Sequence, residues 1–158
     1  MASSKLTDYL DEKDVKYITT THSNAYTAQE IAALTHTPGK NMAKSVILKA
    51  DGELVMIVLP STHDVDVDHF GEQIGLGADA VDMATEDEFS DRFPDCEVGA
   101  MPPFGNLYDM RTFVVRELTE DDEIAFNAGN HRELIKMSYD DFENLSNPEI
   151  IDAAVKQS

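Results

Sequence analysis

The sequence is poor in cysteine and has no tryptophan: its 158 residues include one cysteine, Cys96. A single cysteine excludes an internal disulfide and any metal site built from several thiolates. No apolar run approaches the roughly 20 residues of a membrane-spanning helix, and the first residues lack the basic-then-apolar pattern of a signal peptide. We therefore expect a cytoplasmic protein that needs no disulfide, metal or other cofactor.

Basic residues are also scarce. Twelve Lys and Arg stand against 31 Asp and Glu, a formal net charge of −19, and residues 61–100 contain Arg92 as their one basic side chain. A field of this sign opposes adhesion to DNA or to an anionic membrane. An anionic partner can still bind at a local basic patch. The first 60 residues, where the two signs nearly balance, are the place to expect such a patch.

The length fits one domain spanning residues 1–158, because domains usually run about 100–200 residues. Helices are predicted from apolar spacing and capping signals. Strands are predicted from β-rich runs, two of which flank the hairpin signal Asp51-Gly52. The predicted helices are Lys5–Leu10, Thr27–Leu34, Val65–Ile74, one from Thr85 that stops before Pro94, one after Ser138 and one after Pro148. The predicted strands are Val15–Thr19, Ala43–Lys49, Glu53–Leu59 and an antiparallel meander of Thr112–Arg116, Ile124–Asn127 and Glu133–Met137. Strands in the centre with helices around them indicate an α+β fold.

A loop rich in glycine and proline, Gly99–Gly105, is the first candidate for chemistry. Glycine allows close backbone approach, and proline fixes φ and removes an N–H donor. Such a loop is either a structural turn or a stiff frame whose remaining N–H groups bind a carbonyl oxygen or an oxyanion.

Two isolated polar residues are further candidates. Lys44 stands among apolar residues at the start of a predicted strand, near Lys40 and Lys49, so it either reaches solvent or binds a phosphate. His131 follows Gly129-Asn130 between two predicted strands, where it is either an exposed turn residue or a hydrogen-bonding group.

Metal and thiol chemistry are less well supported. His63 and His69 stand among aspartates, but their spacing does not place them on one helix face, so we expect no metal site. Cys96 has no basic sequence neighbour to lower its pKa, which argues against a thiolate nucleophile.

Four stretches of the chain together resemble the YbaK/EbsC family of aminoacyl-tRNA deacylases, which is related to the editing domain of bacterial prolyl-tRNA synthetase. The matching stretches form three blocks in the family's order: residues 22–32 with 43–49 are the first, residues 93–105 the second and residues 128–133 the third. The resemblance implies a compact α+β domain with a central mixed, largely antiparallel, partly barrel-like sheet surrounded by helices. It also implies hydrolysis of an amino acid ester at the 3′ end of a tRNA.

The resemblance extends to individual positions. The family's functional lysine maps onto Lys44, its Gly-x-x-x-Pro element onto Gly99 and Pro103, and its Gly-x-His element onto Gly129 and His131. Catalytic roles are thus implied for Lys44, Gly99 and His131, and Lys44 would hold either a terminal phosphate of the tRNA or the ester oxygen. The residues implied to bind the substrate are Lys40, Ala100, Met101, Pro102, Pro103, Phe104, Gly105 and Gly129.

The expected partners are the aminoacylated 3′ acceptor end of a tRNA and prolyl-tRNA synthetase, with no DNA or membrane partner. His131 makes the chain similar to members that remove alanine from tRNA-Pro. The alternative is a non-catalytic module of the same fold that binds tRNA or a synthetase.

Overall fold

A computed structural model describes residues 4–21, 41–76, 78–94, 96–97, 100–130 and 132–156. The α-helices of these ranges are α1 Ser4–Glu12, α2 Val67–Gln73, α3 Glu86–Phe89, α4 Arg116–Thr119 and α5 Tyr139–Ser146. Short 3-10 turns occupy Ala78–Ala80, Ser90–Arg92 and Gly105–Tyr108. The strands are β1 Tyr17–Thr21, β2 Ala43–Ala50, β3 Glu53–Pro60, β4 His63–Val65, β5 Val81–Met83, β6 Arg111–Val115, β7 Glu123–Asn127, β8 Glu133–Ser138, β9 Glu149–Ile151 and β10 Ala154–Lys156. The helix predicted at Thr27–Leu34 lies outside the described residues.

The strands form three sheets. A five-stranded mixed sheet has the order β5-β2-β3-β6-β9, a three-stranded antiparallel sheet has the order β1-β8-β7, and β4 pairs with β10. A parallel bridge between Met42 and Ala125 joins the start of β2 to β7 and so links the two larger sheets. This arrangement confirms the predicted α+β fold with a mixed, largely antiparallel sheet.

The β2–β3 hairpin is the longest pairing, with a register that runs from Ala43 opposite Pro60 to Ala50 opposite Glu53. Its turn is Asp51-Gly52, and both residues have positive φ, +49° and +85°. Two consecutive left-handed residues are the requirement of a type I′ turn, which Asp-Gly meets at low cost. The hairpin prediction is confirmed.

Helix starts are also confirmed where a cap marks them. Thr85 and Glu88 form a capping box at the start of α3, and the hydroxyl of Ser138 accepts a hydrogen bond from the Asp141 N–H at the start of α5. The helix predicted at Val65–Ile74 is shorter, because Asp66 caps it and the residues before the cap form β4.

Two predictions for the C-terminal half are wrong. β6 does not join a meander with β7 and β8: it pairs in parallel with β3 and with β9. The residues after Pro148 form β9 and β10 and not a helix, because β9 supplies the edge partner of β6 and β10 pairs with β4. Ile150 and Ile151 are β-branched, and such residues favour strands once a pairing partner is present.

Every residue of β3 from Val55 to Pro60 is buried, so both faces of the five-stranded sheet are covered there. Phe104 packs edge-on against Phe126 and Phe142, and Phe70 of α2 packs edge-on against Phe113. Within the described ranges, no helix has the length and apolar character needed to cross a bilayer.

Candidate functional site

The candidate site lies at an interruption in the pairing of β2. On one side, β3 pairs with β2 along its whole length. On the other side, β7 meets β2 at Met42, and β5 pairs with β2 from Leu48 to Ala50. Lys44 and Ser45 lie between these contacts, where no described strand pairs with that side of β2.

A side chain of β2 binds the Gly-Pro loop at this interruption. The Ser45 hydroxyl donates a hydrogen bond of 3.1 Å to the main-chain carbonyl of Met101. Ser45 is the direct neighbour of Lys44, and Met101 lies in the second block of the family resemblance. This bond therefore joins the first block of the resemblance to the second.

The second block is joined to the third through Gly129. The Gly129 N–H donates to the Ala100 carbonyl at 3.0 Å, and the Gly129 carbonyl accepts from the Glu97 N–H at 2.7 Å. Gly129 has φ +97°, a conformation that glycine adopts without strain. The structure thus brings Ala100, Met101 and Gly129 together beside the strand that carries Lys44.

The ammonium group of Lys44 has a carboxylate partner. Lys44 Nζ lies 3.3 Å from Oδ1 of Asp64, which belongs to β4. The Lys44 side chain is 26% exposed and the Asp64 side chain 66% exposed, so solvent reaches the pair mainly from the carboxylate side. Sequence reasoning did not single out Asp64 as a partner of Lys44, because the two residues lie on strands that are brought together by the β2–β3 hairpin and the turn after it.

The hydrogen bonds of the loop show which N–H groups can meet a ligand. The Ala100 N–H donates to Glu97 and the Phe104 N–H to Pro102, while the two prolines between them have no N–H. In the described part of the chain, the Met101 N–H donates to no protein group. Met101 therefore offers the one N–H between Ala100 and Phe104 that a substrate oxygen could accept.

The far end of the loop is packed into the protein. Pro102 and Pro103 are buried, and Phe104 is fully buried in the aromatic cluster described above. A Cβ atom added to Gly105 would lie 2.5 Å from Oγ1 of Thr112, so this glycine is required by close packing. The substrate-binding role of Pro102, Pro103, Phe104 and Gly105 stays a prediction. Their burial anchors this end of the loop in the core.

Three residues assigned by resemblance, Lys40, Gly99 and His131, lie outside the described residues. Their roles stay predictions. The described neighbour of His131 on the N-terminal side is Asn130, which is 4% exposed. Its Oδ1 accepts hydrogen bonds from the N–H groups of Arg132 and Glu133, both at 2.8 Å, and so fixes the chain on either side of position 131.

Sequence reasoning missed Ser45, Asp64 and Asn130 as parts of this site. A further polar group it missed is Asn127 at the end of β7, whose Oδ1 is buried and accepts no hydrogen bond from any described residue. The short Asn-x-x-Glu spacing from Asn130 was a usable signal for a side-chain-capped turn. Ser45 and Asp64 carry no such local signal.

The histidines and the cysteine considered earlier have other contacts. His63 Nδ1 lies 2.9 Å from the Thr62 hydroxyl, and His69 Nε2 lies 3.1 Å from the Gln73 amide nitrogen. Cys96 Sγ lies 3.5 Å from the hydroxyl of Tyr108. In the ranges that the structure describes, no three His, Cys, Asp or Glu side chains are grouped so that they could hold a metal ion.

Four cavities elsewhere in the described part are lined by residues other than Lys44. One of about 410 Å³ lies beside β1 and β8. Another of about 350 Å³ is lined by Arg92 and Arg111, but Glu53 and Asp109 line it as well. Mixed charges of this kind do not select an anion.

Comparison with known proteins gives the same assignment as the resemblance. The aminoacyl-tRNA editing domain family matches residues 22–145. A proline–tRNA ligase of Staphylococcus epidermidis is 28% identical over 138 residues, which cover 81% of this chain and 24% of the ligase. A proline–tRNA ligase of Staphylococcus saprophyticus is 32% identical over 65 residues, 41% of this chain and 11% of the ligase. The chain thus spans about a quarter or less of the curated relatives that it matches.

Solved structures share the fold at low sequence identity. A candidate trans-editing enzyme for prolyl tRNA synthetase superposes with a TM-score of 0.81 at 16% identity, covering 99% of this chain and 97% of that protein. The hypothetical protein APE2540 superposes with a TM-score of 0.85 at 18% identity, covering 96% of this chain and all of that protein. With the family matching most of its length, this chain belongs to the aminoacyl-tRNA editing domain family.

Proposed function

We propose that this protein hydrolyses the ester bond of mischarged aminoacyl-tRNA in trans, and that its substrate is tRNA-Pro carrying a small non-cognate amino acid such as alanine. Water attacks the ester carbonyl carbon, the bond to the ribose oxygen breaks, and free amino acid and tRNA are released. The similarity to proline–tRNA ligases supports this choice of tRNA. Prolyl-tRNA synthetase is the proposed partner.

The observation that carries the proposal is the joining of three separate sequence blocks at one place. Ser45 binds Met101, and Gly129 is bonded to both Ala100 and Glu97. These contacts put a glycine turn and the Met101 N–H, which has no acceptor among the described residues, beside the strand that carries Lys44. A binding-site frame of this kind holds its donors in place before the substrate arrives, which is the condition for stabilising a developing oxyanion.

Each described group has a task in this reaction. The Met101 N–H can donate to the ester carbonyl oxygen, whose charge grows as the tetrahedral intermediate forms. The Lys44 ammonium can hold the terminal phosphate of the tRNA. A nucleophilic side chain is not required, because an aminoacyl ester is already activated and a neighbouring 2′-hydroxyl of the substrate can assist the water.

Editing also explains why a separate protein of this kind is useful. A synthetase pocket built for proline rejects a smaller amino acid weakly, because one methylene is worth only about 1–3 kcal/mol in a hydrophobic pocket. A second site that accepts small side chains and excludes proline corrects the error. In this protein the buried prolines and Phe104 give the loop the rigidity that size exclusion requires.

A panel of mischarged tRNAs tests the proposal. Deacylation of each is followed with the wild-type protein, Lys44→Ala and Lys49→Ala. Lys49 is the matched control, because it is exposed on the same strand and bonded to Glu88. We expect Ala-tRNA-Pro to be hydrolysed fastest, and we expect Lys44→Ala to lose at least about tenfold in rate, about 1.4 kcal/mol of transition-state stabilisation.

Two results would contradict the proposal. Binding of aminoacyl-tRNA without hydrolysis of any panel member would identify a binding module and not an enzyme. Equal rates for the two lysine variants would remove Lys44 from the site.

A further inference from the structure

Asp64 stands where the substrate phosphate would have to approach. Its carboxylate is paired with the Lys44 ammonium at 3.3 Å and is 66% exposed, whereas the lysine side chain is 26% exposed. A phosphate that binds Lys44 therefore meets the Asp64 carboxylate at the same cation. Two anions on one ammonium repel each other, and this repulsion favours release of the one that is held less tightly.

We propose that Asp64 is a displaceable counter-ion for Lys44: it neutralises the ammonium in the free protein and yields it to a phosphate of the tRNA 3′ end on binding. This inference rests on the proposed function, because it takes Lys44 as a phosphate ligand. The alternative role of Asp64 is to position Lys44 throughout the reaction. Displacement predicts that Asp64→Asn binds the RNA more tightly, whereas positioning predicts that it binds more weakly.

Displacement of Asp64 from Lys44 costs little free energy. Exposed ion pairs contribute only about 0.2–1 kcal/mol. A phosphate is a better acceptor than one exposed carboxylate, since its several anionic oxygens make charge-assisted hydrogen bonds. The exchange thus costs little, and the cost appears as a modest loss of affinity.

Displacement also changes the salt dependence of binding. Added salt weakens a lysine–phosphate contact, which contributes roughly 0.7 to the slope of log affinity against log salt for a single strand. The same salt weakens the Lys44–Asp64 pair that competes with the phosphate. The two losses offset, so this contact is less salt-sensitive in the wild-type protein than an unpaired lysine would be.

The charge of the whole chain makes such an exchange useful. The chain has a formal net charge of −19, and each further unpaired acid near the site adds to the repulsion of a tRNA. An unpaired lysine, in contrast, attracts any polyanion. A lysine that is neutralised until a correctly placed phosphate arrives attracts other anions less. The pair therefore favours anions that reach the mouth of the site in the right geometry.

The test measures binding of an RNA minihelix that carries no amino acid and has a single-stranded tRNA 3′ end, across a salt series. Deacylation of aminoacylated tRNA is measured separately. The variants are Asp64→Asn, Lys44→Ala, their double variant and Glu149→Gln. Glu149 is the matched control, because it is 60% exposed and paired with Arg111 at 2.9 Å. Arg111 lies opposite Val55 and Lys44 opposite Leu59, so the control is about 13 Å further along the sheet at roughly 3.3 Å per residue.

We expect Asp64→Asn to tighten binding about two- to fivefold near 0.1 M salt, the factor that about 0.4–1 kcal/mol represents. The salt slope should steepen by up to about 0.7. Glu149→Gln should produce a smaller change in affinity, because its charge lies beyond the Debye length of about 10 Å. In the Lys44→Ala background, the effect of Asp64→Asn on affinity should shrink to that of the control.

Three outcomes would overturn the inference. They are weaker binding by Asp64→Asn, a change in affinity no larger than that of Glu149→Gln, and no measurable binding by the wild-type protein. If the binding pattern is as expected but no mischarged tRNA is hydrolysed, the proposed enzymatic function fails and the counter-ion role of Asp64 stands.

Discussion

The hydrogen bond from Ser45 to the Met101 carbonyl should matter more for the rate of hydrolysis than for the stability of the fold. Ser45→Ala removes the hydroxyl and leaves that carbonyl without its donor, at 3.1 Å from the former oxygen position. Met101 is 8% exposed, so water replaces the lost donor poorly. The Met101–Pro102 peptide, which carries this carbonyl, is then free to turn, and we expect the adjoining peptide with the Met101 N–H to shift with it although Gly129 still binds the Ala100 carbonyl.

The expected cost in stability can be bounded. A hydrogen bond contributes about 0.5–1.5 kcal/mol, and an unsatisfied buried acceptor costs about 1–3 kcal/mol. Because Ser45 is only partly buried, we expect a loss of about 1–2 kcal/mol in the free energy of unfolding. For a chain of this length that lowers Tm by roughly 2–4 °C per kcal/mol.

The expected cost in rate is larger. A misplacement of about 1 Å in a catalytic group can cost about 100-fold. We expect Ser45→Ala to lower kcat for the hydrolysed mischarged tRNA at least about tenfold with little change in KM. Ser45→Thr keeps the hydroxyl and should restore most of the rate.

Ser146 provides a matched control, because its hydroxyl also donates to a main-chain carbonyl, that of Phe142, at 2.7 Å and with 3% exposure. Ser146→Ala should lose comparable stability and keep the wild-type kcat. The assay is single-turnover deacylation of each variant, with Tm measured on the same samples. A Ser45→Ala protein that loses stability and retains full kcat would show that the bond is structural and that hydrolysis does not depend on the position of the Met101 carbonyl.

Three further predictions concern packing, pH and salt. Gly105→Ala should cost about 1–3 kcal/mol of stability, because its Cβ would lie 2.5 Å from Thr112 Oγ1, and adding Thr112→Ala should recover part of the loss in a denaturation experiment. Hydrogen bonds from Lys49 and from the Thr85 N–H lower the pKa of Glu88 from 4.5 to about 2, so its stabilising effect is complete above pH 4.5 and is lost as the pH falls toward 2. The Tm difference between wild type and Glu88→Gln should therefore disappear over that range, and a constant difference down to pH 2 would refute the assignment. Binding of the tRNA 3′ end should show a log–log salt slope of about −1.4 to −2.8, equivalent to two to four phosphates, and a slope equivalent to six or more would reveal a basic face that this structure does not explain.

The sequence alone determined those elements whose signals are local. Asp51-Gly52 specified the β2–β3 hairpin, because a type I′ turn needs two residues that tolerate positive φ. Thr85 and Ser138 specified helix starts, because their side chains bind N–H groups within the next three residues. Blocks of residues sufficed to assign the family, since that assignment follows from residue identity and order and not from contacts.

Tertiary structure decided which strands pair and how the blocks meet. β6 leaves the predicted meander because β3 offers a parallel partner that lies more than fifty residues earlier in the chain, and no local pattern encodes that choice. Residues 149–156 become strands for the same reason: the edge of β6 and the strand β4 supply pairing partners. Strand preference depends on such context more strongly than helix preference does.

The site shows the same division. Lys44 and the Gly-Pro loop could be singled out from the sequence, whereas Ser45 could not, because its partner Met101 lies 56 positions away. Asp64 was likewise visible only as one of many acids until the fold placed it beside Lys44. A contact between distant positions leaves no periodicity or spacing in the chain, so the bond that holds the loop and the counter-ion that faces the lysine were both decided by the packing of the sheet.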